Sequence, residues 1–475
     1  MRLISAFAAL MLLATSTFAG AESTTLDEFI ESELPNSAAP GIAYAQVLDG
    51  EITAKGFGEK TKGSGEGVTA DTLFPIGSVT KSFTALAVMQ LVEAGRLGLD
   101  DPVSSHLPVF EGGPGSTVTL RQLLNHTSGY STVQGNSHHG SEDASMIGLI
   151  EYAEQLSSLE PVHAPGAVWE YSNANYQILG ALIEQVSAES YADFIKANVF
   201  EPLGMSNSLV VVGPNPDQVA TVHRPWFGNV RASPRGEGFP INAPGGGIVA
   251  SARDMGLYLA MWLNGEDDLI SANSKAAMLN PSGPASPLYG LGWSIDPEEG
   301  SAFHTGLVPG AETLASFSPS QGKGVVVMVN ANGGLGFADT WYLIGGAGAR
   351  ALGQVHADDG SRTGPKIAYL SIALLPPLFV LFAVFSWRGR AQLRAKRKTT
   401  GGKLSLWFPV LAMIGLSWFL IVLLPQMFGG SIATLELYQP DFALCLIASA
   451  WLAPIWAALR LILAYSGGQK PEQPA

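Results

Sequence analysis

Leu73-Phe74-Pro75-Ile76-Gly77-Ser78-Val79-Thr80-Lys81 runs directly into Phe83–Ala94, and the reading of this stretch decides the fold. Apolar residues recur at helical intervals through Phe83–Ala94, which predicts a helix, with Pro75 and Gly77 just ahead of it. If Ser78 opens that helix, its hydroxyl and the Lys81 ammonium fall on nearly the same face one turn apart. The positive end of the helix dipole then points at both. A serine hydroxyl becomes a nucleophile only with a base beside it, and Lys81 stands where such a base would be needed. The S-x-x-K spacing alone is weak. Ser320-Gln321-Gly322-Lys323 repeats it among Gly and Pro, where a strand-connecting turn is expected. An isolated match reads equally well as a helix N-cap followed by a solvated lysine.

Two further short motifs change that balance. Tyr171-Ser172-Asn173 follows Pro165-Gly166 and precedes the helical run Tyr176–Val186, and His304-Thr305-Gly306 leads into strand-like sequence. In this order and spacing, S-x-x-K, Y-x-N and H-T-G resemble the serine β-lactamase and penicillin-binding protein superfamily. The likeness is to its class C-like branch, with D-aminopeptidases and esterases. Leu123-Leu124-Asn125-His126-Thr127-Ser128-Gly129, Pro202-Leu203-Gly204-Met205, Gly245-Gly246-Gly247 and Tyr289-Gly290-Leu291-Gly292-Trp293 share it. The resemblance covers about residues 25–350. No G-x-S-x-G elbow and no H-E-x-x-H zinc motif occurs.

The resemblance implies an α+β, β-lactamase/transpeptidase-like fold: an antiparallel sheet flanked by helices, with a helical subdomain. It makes Ser78 the acylated nucleophile, lets Lys81 and Tyr171 share the proton transfer, and gives Asn173 the substrate amide. His304, Thr305 and Gly306 become substrate-binding residues, and the backbone N–H groups of Ser78 and Leu307 form the oxyanion hole. The chemistry must overcome unfavourable resting states. A lysine of pKa ~10.4 is neutral about one part in two thousand at pH 7, a gap of roughly 4.6 kcal/mol. A phenol of pKa ~10 is ionised about one part in a thousand. Lys81 and Tyr171 should titrate as a coupled pair, so the base is assigned to them jointly. His304 stands where the common pattern has the lysine of K-T-G. A histidine is mostly neutral at pH 7, which implies weaker preference for anionic substrates and better tolerance of neutral esters or amides.

The residues also speak without the resemblance. Gly41–Leu48 and Gly324–Asn330 are apolar, β-branched runs bounded by Gly and Asn, hence strands near the two ends of residues 22–365. Helices between them make an α+β layout whose terminal strands share a sheet. Residues 22–365 hold 15 Lys and Arg against 37 Asp and Glu, within a chain of net charge −14. Such an acidic body repels phosphate polyanions, so no nucleic-acid partner is expected. The single cysteine, Cys445, excludes disulfide scaffolds and thiolate clusters. No metal or organic cofactor is implied. His138-His139 lies in a Gly/Ser-rich loop and reads as solvated, and His126 reads as the brace of a turn.

The ends carry an address and an anchor. Arg2, the apolar run Leu3–Leu13 and Ala19-Gly20-Ala21 fit a signal peptide over residues 1–21. The enzyme domain is expected over 22–351 and a polar linker over 352–365. A membrane anchor follows over 366–465, with apolar stretches 367–387, 404–425 and 442–465 long enough to cross ~30 Å of hydrocarbon as three transmembrane helices in contact with lipid. Seven Lys and Arg between 388 and 403, without an acid, put that loop in the cytosol by the positive-inside rule. The body is then periplasmic or extracellular, on a plasma (inner) membrane, and the tail 466–475 is cytosolic. Arg460 is the lone ionisable group inside a span, near its cytosolic end, which favours an anchor over a transporter. The expected activity is serine hydrolysis of small D-amino-acid peptides, esters or β-lactams. The competing class is a penicillin- or muropeptide-binding sensor with slow or no turnover. The sequence sets no oligomeric state.

Overall fold

The computed structural model describes residues 25–139, 147–233, 237–335, 339–354, 356 and 363–466. The expected signal peptide, most of the expected linker and the tail beyond 466 lie outside the described residues.

Gly41–Leu48 (β1) and Glu51–Gly58 (β2) form a hairpin across Asp49-Gly50. Both turn residues have positive φ, +49° and +85°, the twist that a two-residue hairpin turn requires. Near the other end of the body come Ser294–Asp296 (β3), Ser301–Val308 (β4), Ala311–Ser318 (β5) and Lys323–Val329 (β6). The six strands form one antiparallel sheet in the order β3-β4-β5-β6-β1-β2. Strands from the two ends of the body therefore do share a sheet, with Ile42 opposite Val329 and Leu48 opposite Lys323.

Alternation along β1 sorts its side chains to two cores. Ile42 and Tyr44 face Leu26–Ser37 (α1), while Ala43 and Ala45 face the helices that carry the site. Chief among these is Thr80–Glu93 (α2), buried from Thr80 through Met89. A helix apolar on nearly every face belongs inside a protein, which explains its weak amphipathic signal. Leu149–Ser157 (α3) and Asn173–Ser187 (α4) pack on each other in the helical region, and Ala252–Leu263 (α5) lies across β1, β2 and β6. Phe83 of α2 stacks on Tyr258 of α5 with 3.8 Å between ring centroids. Thr340–Leu352 (α6) covers the outer face beside α1.

The expected first span is instead a bent pair, Thr363–Ala373 (α7) and Leu375–Arg388 (α8), meeting at 41°. Pro376 and Pro377 account for the break, because each lacks a backbone N–H and crowds the preceding turn. Thr400–Met427 (α9) and Pro440–Tyr465 (α11) are long and apolar enough to cross a membrane, so the described residues hold two such helices, or three with the bent pair as one. Between α9 and α11 the short helix Ile432–Tyr438 (α10) packs on α11 and is hydrogen-bonded to His139, Arg224 and Asn332 of the body. The basic helix Arg390–Lys396 packs against α11, where Arg394 donates to the Leu463 carbonyl at the end of α11 farther from α10.

Candidate active site

Ser78 sits in a 3₁₀ turn, Gly77–Val79, that leads into α2. Neither the turn nor the helix has a side-chain cap, so Ser78 is not serving as the N-cap. One turn on, the fully buried Lys81 places its Nζ 3.0 Å from Ser78 Oγ and donates to the Gly245 carbonyl at 2.8 Å. Burial lowers the Lys81 ammonium from 10.5 to about 7. The Tyr171 phenol is near enough to Ser78 to be influenced by its hydroxyl, and Lys81 Nζ lies 4.9 Å from the Tyr171 ring centroid. Burial pushes the Tyr171 phenol up, and the nearby Ser78 hydroxyl offsets this only in part. The amine is therefore the group of this pair that is poised near neutrality.

Two glycines dock this turn on the sheet. Gly77 has φ +51°, and a Cβ there would stand 2.7 Å from the Leu307 backbone nitrogen. A Cβ at Gly306 would stand 2.0 Å from the Ile76 carbonyl oxygen. Their bare backbones let β4 close on the turn and set the Leu307 backbone nitrogen against Gly77, the residue before Ser78, while the Leu307 side chain is 45% exposed.

His126, with φ +61°, braces the Tyr171 segment from below. Its Nδ1 accepts from the Ser172 backbone N–H at 3.1 Å and from Asn175 Nδ2 at 3.0 Å, and its ring lies 4.4 Å from that of Tyr171. Two donors on Nδ1 leave the proton on Nε2, and burial, then the Lys81 charge, hold the ring well below its ordinary pKa. Asn173 does not cap the helix it opens: its Nδ2 donates to Asn136 Oδ1 at 2.8 Å.

A cavity of about 650 Å³ lies over the turn, lined by Ser78, Asn173, Gly245 and Leu307 among others. The family model described as Beta-lactamase matches residues 26–349. The chain belongs to the beta-lactamase family. It is 29% identical over 317 residues to protein flp of Staphylococcus aureus strain N315, covering 65% of this chain and 63% of that protein. The chain thus spans somewhat less than two thirds of that relative. Among solved structures it is similar to the octameric penicillin-binding protein homologue from Pyrococcus abyssi, at TM-score 0.59 and 28% identity over 74% of this chain and 81% of the other. It is also similar to D-alanine carboxypeptidase AmpC from Burkholderia cenocepacia, at TM-score 0.56 and 25% identity over 69% and 98%. The family match ends before α7.

In this beta-lactamase family chain Ser78, Asn173 and Leu307 line the cavity, whereas Lys81, Tyr171, His304, Thr305 and Gly306 are not among its lining residues. His304 is buried behind Tyr171, 6.3 Å between rings, and is not among the residues lining the cavity. Its Nδ1 donates to the Thr305 carbonyl at 2.7 Å, and its Nε2 accepts from the Tyr289 hydroxyl at 3.1 Å. Burial first, and the Lys81 charge second, lower it to about 3, so the ring is neutral. Strand alternation turns His304 inward and leaves Thr305 half-buried opposite Leu314.

The reading of His138 and His139 as solvated is corrected. Both line the cavity and are lowered to about 4 by burial, because the loop folds between α4 and α10. Among the described residues no group of three or more metal-ligating side chains includes them. Lys323 of the second S-x-x-K opens β6 and reaches the Leu352 carbonyl, and Ser320 lies in a 3₁₀ turn joining two strands. Sequence reasoning missed Asn136, Leu437 and Tyr438, which carry no local motif.

Proposed function

We propose that this chain is a membrane-tethered serine hydrolase that cleaves an ester or amide through an acyl-enzyme at Ser78. The observation that carries the reading is the buried Lys81 amine, 3.0 Å from Ser78 Oγ and lowered to about 7. At pH 7 about half the molecules then hold a neutral amine, against about one part in two thousand for an unperturbed lysine. Neutral Lys81 takes the hydroxyl proton as Ser78 Oγ bonds to the substrate carbonyl carbon. The carbonyl oxygen becomes an oxyanion held by the N–H groups of Ser78 and Leu307. Collapse expels the leaving alcohol or amine, which takes the proton back through Lys81 and the Tyr171 hydroxyl. Water then attacks the Ser78 ester by the same route in reverse and frees the enzyme. Asn173 lies beside the reacting centre, where its amide can orient the substrate.

Substrates are small esters or D-amino-acid peptides. The D-alanine carboxypeptidase neighbour supports the peptide class, and neutral His304, in place of a permanent cation, supports uncharged esters. Two or three apolar helices support anchoring. The hydrogen bonds of α10 to the body, and the basic helix packed at the far end of α11, support a body outside the cell with the basic segment in the cytosol. The test is burst and steady-state hydrolysis of a neutral activated ester by the full chain in detergent, against Ser78→Ala. Loss of both phases in the folded variant is expected. Turnover that survives the substitution sinks the assignment.

A further inference from the structure

The segment joining α9 to α11 does more than connect two apolar helices. It and the first turn of α11 are pinned to the body at five places. Asn136 Nδ2 donates to the Gly429 carbonyl at 2.8 Å, and His139 Nδ1 lies 3.2 Å from Thr434 Oγ1. Arg224 donates to the carbonyls of Glu436 and Leu437 at 3.4 and 3.3 Å, and Asn332 Nδ2 to that of Tyr438 at 3.1 Å. The Phe227 backbone N–H donates to Asp441 Oδ2 at 2.8 Å. Asn136, which holds Gly429 through its Nδ2, accepts from Asn173 through its Oδ1, so one side chain links the anchor segment to the Y-x-N motif.

The consequence lies in the cavity. Leu437 and Tyr438 line the same space as Ser78. The Tyr438 phenol is close enough to Tyr171 to act on it electrostatically. Leu307, Val308 and Pro309 carry the lining on past the end of β4. There the His223 N–H donates to the Gly310 carbonyl at 2.9 Å, next to Val222 and Arg224. This wall is apolar. Among the described residues that line the cavity there is no Asp or Glu, and the Arg224 guanidinium is turned to the carbonyls of the anchor segment.

We infer that Leu437 and Tyr438 are substrate-contacting residues, and that the cleft they complete selects an ester or amide whose non-reacting end is an uncharged apolar group. The inference rests on the hydrolase reading for the reacting end. An apolar group is desolvated against Leu437 and the neighbouring aliphatic side chains, whereas a cationic one meets no carboxylate among the described lining residues and an anionic one must compete with the carbonyls that hold Arg224. The anchor then serves specificity as well as tethering.

The test uses the full chain in detergent, with p-nitrophenyl acetate and octanoate as paired substrates. Leu437→Ala and Tyr438→Ala are expected to raise the octanoate-to-acetate KM ratio about tenfold. Glu436→Gln, exposed on the same segment, should leave that ratio at the parent value. Tyr438→Phe keeps the ring and should stay within about twofold, and melting curves confirm folding. A binding arm is independent of turnover: N-octylacetamide and N-methylacetamide are titrated into Ser78→Ala, with and without Tyr438→Ala. About tenfold weaker binding of the octyl compound alone is expected. Equal effects on both compounds, no effect, or no octyl binding at all would overturn the inference. Ester turnover surviving Ser78→Ala would overturn the hydrolase reading instead, so the two failures are told apart.

Discussion

Replacing Lys81 by Met should abolish turnover and make the protein more stable at neutral pH. The lysine is fully buried, and burial lowers its amine from 10.5 to about 7. In the unfolded chain the same amine is protonated up to about 10.4. Between pH 7 and about 10.4 the unfolded state therefore binds one proton more than the folded state, and stability rises with pH by about 1.4 kcal/mol per pH unit. Accumulated over that window, the buried lysine costs the fold about 5 kcal/mol at pH 7 and below, relative to high pH. Methionine removes that penalty but leaves the Gly245 carbonyl without its 2.8 Å donor, a loss of about 1–3 kcal/mol. Desolvation wins, and a net gain of a few kcal/mol at pH 7 is expected. The assay is denaturant or thermal unfolding of the full chain in detergent at several pH values. The gap between variant and parent should shrink by about 1.4 kcal/mol for each pH unit from 7 toward 10, because only the parent carries the titrating amine. A gap that does not move with pH, or a parent that is the more stable at pH 7, would refute the desolvation argument.

Other outcomes follow from the same geometry. The kcat/KM for a neutral ester should rise with pH, reach half its plateau near pH 7 and fall about tenfold per pH unit below; a midpoint near 10 would return the base role to an unperturbed group. Gly306→Ala puts a Cβ 2.0 Å from the Ile76 carbonyl, so β4 must retreat and carry the Leu307 N–H with it. A kcat loss of about 10²–10³ is expected, and circular dichroism should show the fold retained. His304→Lys adds an ammonium near Lys81 and should move the acid limb of the pH profile lower, while raising penicillin acylation relative to that of the ester. An unchanged limb and ratio would count against any charge effect from that position.

Legibility followed the range of the interactions. Ser78 and Lys81 were readable because a helix brings residues three apart together whatever surrounds it. The apolar stretches 404–425 and 442–465 were readable from length and composition, and both lie within longer helices. The stretch 367–387 reads as equally apolar, yet the Pro376-Pro377 pair breaks it, a local signal that hydropathy averages away. His138 and His139 were misread because their loop composition says solvent, while α10, nearly three hundred residues later, covers them.

Taken alone, the sequence determined the sheet formed from the two ends of the body, the helix that carries Lys81 with Ser78 just ahead of it, and the order of motifs that marks the family. Each depends on periodicity or on residue types a few positions apart. The tertiary structure alone decided that Lys81 loses its solvent, that Gly77 and Gly306 let the Leu307 backbone close on the turn that carries Ser78, and that His304 turns inward. It alone placed Leu437 and Tyr438 in the cleft. Desolvation and close approach depend on which distant segments pack around a group, and no local pattern of residues records that.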